Sequence, residues 1–395
     1  MWILCLSLAH AADVVDPSDT EPHIRWSAIP NASYDSDDGF GLGARGQVDW
    51  LNVDYAPYRA SAVVHLFVTT NGYHHHRMKF DLVGLGPQHR SRIYGHVAYR
   101  AWLNDGYWGI GNDTALDPRS LGDLDRDDPD RRYNRYRLVQ PFAHLTWRRE
   151  VAGPWAVYGG AEGRYSVVEA YSGSLLAAEA PPGVAGGPAV QLGGGVLYDT
   201  RDPEISPEKG VYVEVSGRVV AMPDTAFGGP MAVVRGWVQP VSRVVLAGRV
   251  MGEYLAGEVP FYEMVHWGGF VPTAGFGGAD TIRGVPYGRW RAPGKVVGNA
   301  EVRIDVFRHR LAGEELRWQL VPYGDVGFVF GDGTKAEPAV PRLHPAVGLG
   351  VRPIWGETLV GRLDVGVGWD RVDLGAGVYE QRLSWGFYLV FDHLF

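Results

Sequence analysis

The chain has 395 residues, 45 of them acidic and 37 basic, for a formal net charge of -8. That balance argues against a nucleic-acid-binding protein. No apolar run approaches the roughly 18 residues that a membrane-spanning helix needs. Fourteen Trp, 20 Tyr, 14 Phe and 54 Gly in a chain with few helix-forming runs favour an all-β protein with aromatic girdles.

The only cysteine, Cys5, lies in an apolar N-terminal stretch that ends in Ala9-His10-Ala11, a small-x-small cleavage pattern. Residues 1–11 therefore read as a signal peptide, truncated in that it lacks a basic n-region. Residues 12–23 read as a short periplasmic tail, and residues 24–395 as one barrel domain. Alternating segments follow at residues 23–34, 40–51, 58–69 and 74–85, the last pair joined by the tight-turn signal Asn71-Gly72. The next are at 92–103, 131–150, 155–170, 188–200, 211–222, 231–239 and 242–255. The last five are at 296–307, 316–330, 344–354, 358–370 and 381–395. The count is sixteen, and long connections alternate with short ones, the asymmetry of a transmembrane antiparallel β-barrel.

Face assignments follow from the period of two. In 296–307, Val296, Gly298, Ala300, Val302, Ile304 and Val306 share one side, against Asn299, Glu301, Arg303 and Asp305 on the other. In 316–330, Arg317, Gln319, Tyr323 and Asp325 share the polar side, as Arg362 and Asp364 do in 358–370. An ionic strand face is too costly for a dry core. It suits a water-filled lumen, with the apolar face on lipid. In the last segment Trp385, Phe387, Leu389, Phe391 and Phe395 fall on one face by the same count.

Several stretches resemble the barrel of the BamA/TamA-type outer-membrane assembly and translocation superfamily, which includes bacterial surface-antigen barrels. Ile282-Arg283-Gly284 matches that family's Arg-Gly motif, and its loop is the sixth long-side connection in the strand count. Residues 198–210 (YDTRDPEISPEKG), NAEVR from Asn299, YGDVG from Tyr323 and HPAVGLGVR from His344 match others in family order. The last segment, with Gly386, Phe391 and Phe395, resembles the family's barrel-targeting C-terminal strand. Two departures stand out. Val285 follows Arg283-Gly284 where an aromatic is usual, and the short N-terminal tail leaves no room for a POTRA domain.

The resemblance implies that the sixth loop folds into the lumen, where Arg283 and Gly284 anchor it through Asp325 and Glu301. It further implies a function in outer-membrane protein insertion or protein translocation, through a seam between first and last strands that the glycines of residues 39–46 soften. The implied partners are outer-membrane lipid, a client barrel or exported protein, and a separate periplasmic protein in place of the POTRA domains. The alternation itself fits a passive channel or porin, or a structural surface-antigen barrel, equally well. No G-x-S-x-G and no Ser/His/Asp grouping is evident, so neither an enzyme nor a cofactor is expected. His74-His75-His76 alternates across a strand and reads as a polar strand entry, and the Asp-rich residues 122–130 read as a solvated loop; no metal site is expected.

Overall fold

The computed structural model describes residues 22–52, 55–121, 129–202, 206–311, 314–331, 342–355, 359–391 and 393–395. The leader and nearly all of the tail, together with residues 122–128, lie outside the described residues. The strands run β1 (His23–Asp35), β2 (Gly39–Asn52), β3 (Tyr55–Thr69), β4 (Tyr73–Leu85), β5 (Ser91–Gly106) and β6 (Arg135–Ala152). They continue as β7 (Trp155–Ala170), β8 (Gly187–Asp199), β9 (Gly210–Ala221), β10 (Ala226–Val241) and β11 (Val244–Tyr254). After the two-residue β12 (Ala256–Gly257) come β13 (Gly294–Leu311), β14 (Glu314–Phe330), β15 (His344–Trp355), β16 (Leu359–Asp373) and β17 (Tyr379–Phe391). Since β12 only prolongs β11 along β10, the wall has sixteen staves among the described residues. Each stave is antiparallel to its neighbours, and β1 meets β17 to close the cylinder.

The period-two reading accounts for the wall. On β9, Val215 and Val219 are exposed while Glu214 and Arg218 are buried. On β11, Leu246 and Val250 are exposed while Arg249 and Glu253 are buried. Adjacent residues thus invert the usual rule, with apolar side chains outside and charges inside, as a lipid-facing barrel requires. On β13, β14 and β16 the inward set contains Asn299, Glu301, Arg303, Asp305, Gln319, Asp325, Arg362 and Asp364, all buried.

Both ends of the barrel are distinct. The start of β1 and the end of β17 lie at one end, with short turns such as 153–154 and 242–243. The other end carries residues 107–121, 129–134, 171–186 and 258–293. There Trp102, Tyr107, Tyr136, Leu138, Leu176, Phe261 and Tyr262 form an apolar cluster that roofs the lumen. A five-residue helix (Leu175–Glu179), N-capped by Ser174, supplies Leu176 to it.

Most boundaries shift by a few residues from the sequence reading, and three of the shifts have a visible cause. β6 begins at Arg135 instead of residue 131, because Pro129–Arg132 is a 3-10 turn. β10 begins at Ala226 and runs straight through Gly228-Gly229-Pro230, residues that read as a loop. Gly229 is required there, since a Cβ would lie 1.9 Å from the Tyr254 carbonyl oxygen. The third difference is the C-terminus. β17 ends at Phe391, and Phe395 does not continue the outward face of Trp385, Phe387 and Leu389. Leu394 and Phe395 are buried against Ala156, Tyr212, Trp237 and Ala247 inside the barrel. Arg249 Nη1 donates to the Leu394 oxygen at 3.3 Å and Arg303 Nη2 to the Phe395 oxygen at 3.1 Å. Leaving the strand satisfies two buried guanidinium groups, which the alternation count had no means of weighing.

Closure rests on very little. β1 pairs with β2 along its whole length but with β17 only at Tyr34↔Leu389 and Asp35↔Tyr388, helped by one bond from Ser36 N–H to the Phe387 oxygen at 3.1 Å. A Tyr34→Cys/Leu389→Cys pair, directly opposed, should therefore form a disulfide on mild oxidation. Trp26→Cys/Trp385→Cys should not. Gel mobility under non-reducing conditions reads both, and the reverse pattern would mean that the strands close in another register.

Candidate functional site

One level of the barrel carries the site. In register across adjacent strands lie Glu301 (β13), Tyr323 (β14), Gly348 (β15), Gly366 (β16) and Gly386 (β17). All point inward, because each sits on the buried phase of its strand. Three glycines side by side leave a shallow trough, filled by the backbone of the 258–293 loop over Gly366, by the Tyr323 ring over Gly348 and by the Tyr388 ring over Gly386. A Cβ on Gly366 would lie 2.5 Å from the Arg283 carbonyl oxygen, and one on Gly348 would lie 2.3 Å from the Tyr323 ring. Only a strand without side chains lets the loop backbone approach so closely.

Set on this floor, the Arg283 side chain is fully buried. Its Nε and Nη2 donate to the two oxygens of Asp325, both at 2.9 Å, a bidentate pair. Its Nη1 donates to Glu301 Oε1 at 2.8 Å and to Asp364 Oδ2 at 3.2 Å. The Arg283 main-chain N–H also donates to Asp325 at 3.0 Å, and the guanidinium lies 3.4 Å from the centre of the Tyr323 ring. Burial alone would lower this guanidinium, but Asp325 and Glu301 outweigh it and hold it well above its ordinary value. The carboxylates are shared further: Arg303 reaches Glu301 at 2.9 Å, and Arg352 reaches Asp364 at 2.6 Å and Glu301 at 3.4 Å.

Gly284 ties the loop to the last strand. Its N–H donates to Tyr388 Oη at 3.0 Å, and its carbonyl accepts from Ser384 Oγ at 2.6 Å. A positive φ of 98° and the nearness of the Gly366 backbone both favour glycine at this position. Gly386 lies under the Tyr388 hydroxyl, which a Cβ would meet at 2.2 Å. Gly386 thus allows Tyr388 to point at Gly284.

The structure brings Arg283, Gly284, Glu301 and Asp325 together, with Gly386 three strands beyond Asp325 on β17, under the Tyr388 that Gly284 bonds. Phe391 ends β17, and Phe395 lies elsewhere, among Arg249, Arg303 and Trp237. Sequence reasoning missed Asp364, although its inward phase was legible, and missed Tyr388 and the glycine row, which depend on register between strands. It also missed two further buried anchors. Arg289 pairs with both oxygens of Asp370 at 2.6 and 2.8 Å, and Arg291 donates to the Phe261 oxygen at 3.2 Å within the aromatic roof. Val285, where the motif commonly has an aromatic, packs over Gly368. His74 and His76 share the outer face, 5.9 Å between ring centres, while His75 points into the lumen beside Tyr73.

The geometry agrees with the comparisons. The Omp85 superfamily domain matches residues 188–387, just over half of the sequence. The chain belongs to the Omp85 superfamily. Membership makes it an outer-membrane β-barrel protein. Similar solved structures include BamA from Haemophilus ducreyi lacking POTRA domains 1-3, at 14% identity and a TM-score of 0.56, covering 94% of this chain and 70% of that one. CdiB from Escherichia coli has 11% identity and a TM-score of 0.54, covering 92% of this chain and 63% of its own. CdiB from Acinetobacter baumannii has 11% identity and a TM-score of 0.51, covering 93% and 65%. This chain thus spans less than two thirds of either CdiB, and at these identities the likeness is one of fold. No curated protein sequence matches it.

Removing Arg283 would leave the buried Asp325 without a cation among the described residues and take one of their ion-pair partners from Glu301 and Asp364, a loss of about 3–5 kcal/mol by analogy with broken buried ion pairs. Arg283→Ala should lower the temperature at which the folded barrel band collapses on a semi-native gel and open the 258–293 loop to trypsin. Gly366→Ala should expose the loop in the same way, while Gly46→Ala, which meets nothing within 4 Å, should leave it protected. Equal protection in all three variants would show that the trough does not hold the loop.

Proposed function

We propose that this barrel acts in outer-membrane protein insertion or protein translocation by adding client strands at the β1–β17 seam. The observation that carries the reading is the shortness of that pairing. His23–Ser33 on one lip, and most of β17 above Phe387 on the other, have no strand partner across the seam among the described residues. In hydrocarbon an unpaired backbone amide or carbonyl costs several kcal/mol. Opening gives up only two residue pairs and the Ser36 bond, whereas a client strand can also satisfy His23–Ser33. A client strand that pairs with either lip therefore gains more than the closed seam loses. No catalytic group is needed, because the driving force is main-chain pairing of the β-augmentation kind.

The lips are unequal. β17 is bonded through Tyr388 and Ser384 to Gly284, and through it to the Arg283 cluster, whereas β1 is held by β2 alone over most of its length. Opening would therefore move β1 and leave β17 in place as the template. Both lips present large apolar side chains, with Trp26 75% and Trp385 73% exposed. The aromatic roof and the anchored loop occupy the lumen where a passive channel would need a passage, which favours the seam over the pore. Such a reading makes an outer-membrane client and the surrounding lipid the working partners, with a separate periplasmic protein presenting the client.

Photo-crosslinking residues placed at Trp26 and Trp385 in cells should capture other outer-membrane proteins or exported chains. The Tyr34→Cys/Leu389→Cys disulfide should abolish that capture. Crosslinks confined to β1 and β17 of the same chain, unchanged by the lock, would overturn the proposal.

A further inference from the structure

The lumen is not uniform. Against β13–β17 it is filled and charge-paired, but between the loop and the β2–β9 wall lies a cavity of about 630 Å³. Eight basic side chains line it against three carboxylates, Asp81, Glu162 and Glu263. Those carboxylates are already taken. Asp81 holds Arg92 at 2.8 Å, Glu162 holds Arg164 at 2.7 Å, and Glu263 lies between Arg164 and Arg218 at 3.0 and 3.3 Å. Arg45, Arg77, Arg100 and Arg148 remain with no carboxylate within ion-pair distance among the described residues.

Their placement concentrates the charge. Arg45 of β2, His65 of β3 and Arg77 of β4 are directly opposed in one cross-strand row, so the two guanidinium stems start about 10 Å apart. One step along, His75 of β4 faces Arg100 of β5. Like charges lined up across strands are destabilising, and low-dielectric walls sharpen the field they make. Several nitrogens around it are also buried without a hydrogen-bond partner: the donors Arg77 Nε, Arg100 Nε and Arg148 Nε, with His65 Nδ1 and, from the loop, His266 Nε2. His266 is nine-tenths buried and lines the same cavity. Buried donors of this kind each cost about 1–3 kcal/mol unless something accepts from them.

We propose that this chamber is a binding site for a compact multivalent anion of the phosphate or pyrophosphate class. The aromatic roof closes the long-loop end, and the cavity extends down the wall to Tyr58, Asp81 and Arg92, so the anion enters from the short-turn end. Such a ligand accepts from the guanidinium groups that line the cavity and turns the repulsion between Arg45 and Arg77 into attraction. Guanidinium groups on a rigid wall suit a tetrahedral oxyanion better than chloride, because each offers two N–H groups in a fixed fork.

Isothermal titration of the full-length barrel in a zwitterionic detergent at low salt, with pyrophosphate as the probe, tests this. Saturable binding is expected, weakened at least ten-fold in an Arg77→Gln/Arg100→Gln variant and unchanged in Arg310→Gln, an exposed arginine outside the chamber. The semi-native gel shift reports whether each variant is folded. Should the double variant not fold, a tungstate soak of wild-type crystals decides: anomalous density between Arg77 and Arg100 supports the site. No pyrophosphate binding, binding insensitive to both substitutions, or tungstate elsewhere would overturn it. Binding of an Asp/Glu-rich peptide with none of pyrophosphate would overturn it as well, in favour of a polypeptide occupant.

Discussion

A single guanidinium organises this lumen. Arg283 belongs to a loop, yet it is bonded to β13, β14 and β16 at once through Glu301, Asp325 and Asp364. Each of those carboxylates would be costly to bury alone, and so would the arginine. Their mutual satisfaction is what permits a long Gly- and Pro-rich segment to sit inside a barrel instead of spreading over its mouth. The other loop anchors, Arg289 on Asp370 and Arg291 in the aromatic roof, act on a segment whose position Arg283 has already fixed.

The cluster also explains why the wall changes character around its circumference. Where the loop backbone lies, the strands carry Gly348, Gly366, Gly368 and Gly386 on their inward faces. On the opposite wall many inward residues are long and basic, and the loop backbone meets that wall only in places, as where Arg218 donates to the His266 oxygen and Tyr94 to the Phe270 oxygen. Charge on that side exceeds what the resident carboxylates neutralise. One half of the lumen is complete in itself, and the other is shaped for something that the described residues do not supply.

Much of this was legible in the sequence, and the reason is the period of two. Alternation alone counts sixteen staves, sorts Asn299, Glu301, Arg303 and Asp305 from their apolar neighbours, and places the sixth long connection where Arg283 lies. What alternation lacks is height. It says that Asp364 and Tyr388 point inward but not that they stand level with Arg283, since that depends on the offset between strands. The glycine row was invisible for the same reason, each member being one glycine among 54. Phe395 was misplaced because the count assumes that a strand continues until a turn residue stops it. Here the chain leaves the wall after Phe391 to meet two buried arginines, an interaction that local pattern does not encode.

That inward turn bears on how the last stave is held along its own axis. A strand paired on one side only is free to slide past its neighbour in two-residue steps, each of which keeps its faces correct. Such a step would shift β17 by about 6.6 Å. It would draw Phe395 away from Arg249 and Arg303 beyond the strand's C-terminal end, and carry Ser384 and the Tyr388 hydroxyl off Gly284 near its middle. Fastened near its middle and again past its end, the strand keeps its register without a full partner beside it. A growing sheet edge can then be offered to an incoming segment at a fixed height in the membrane.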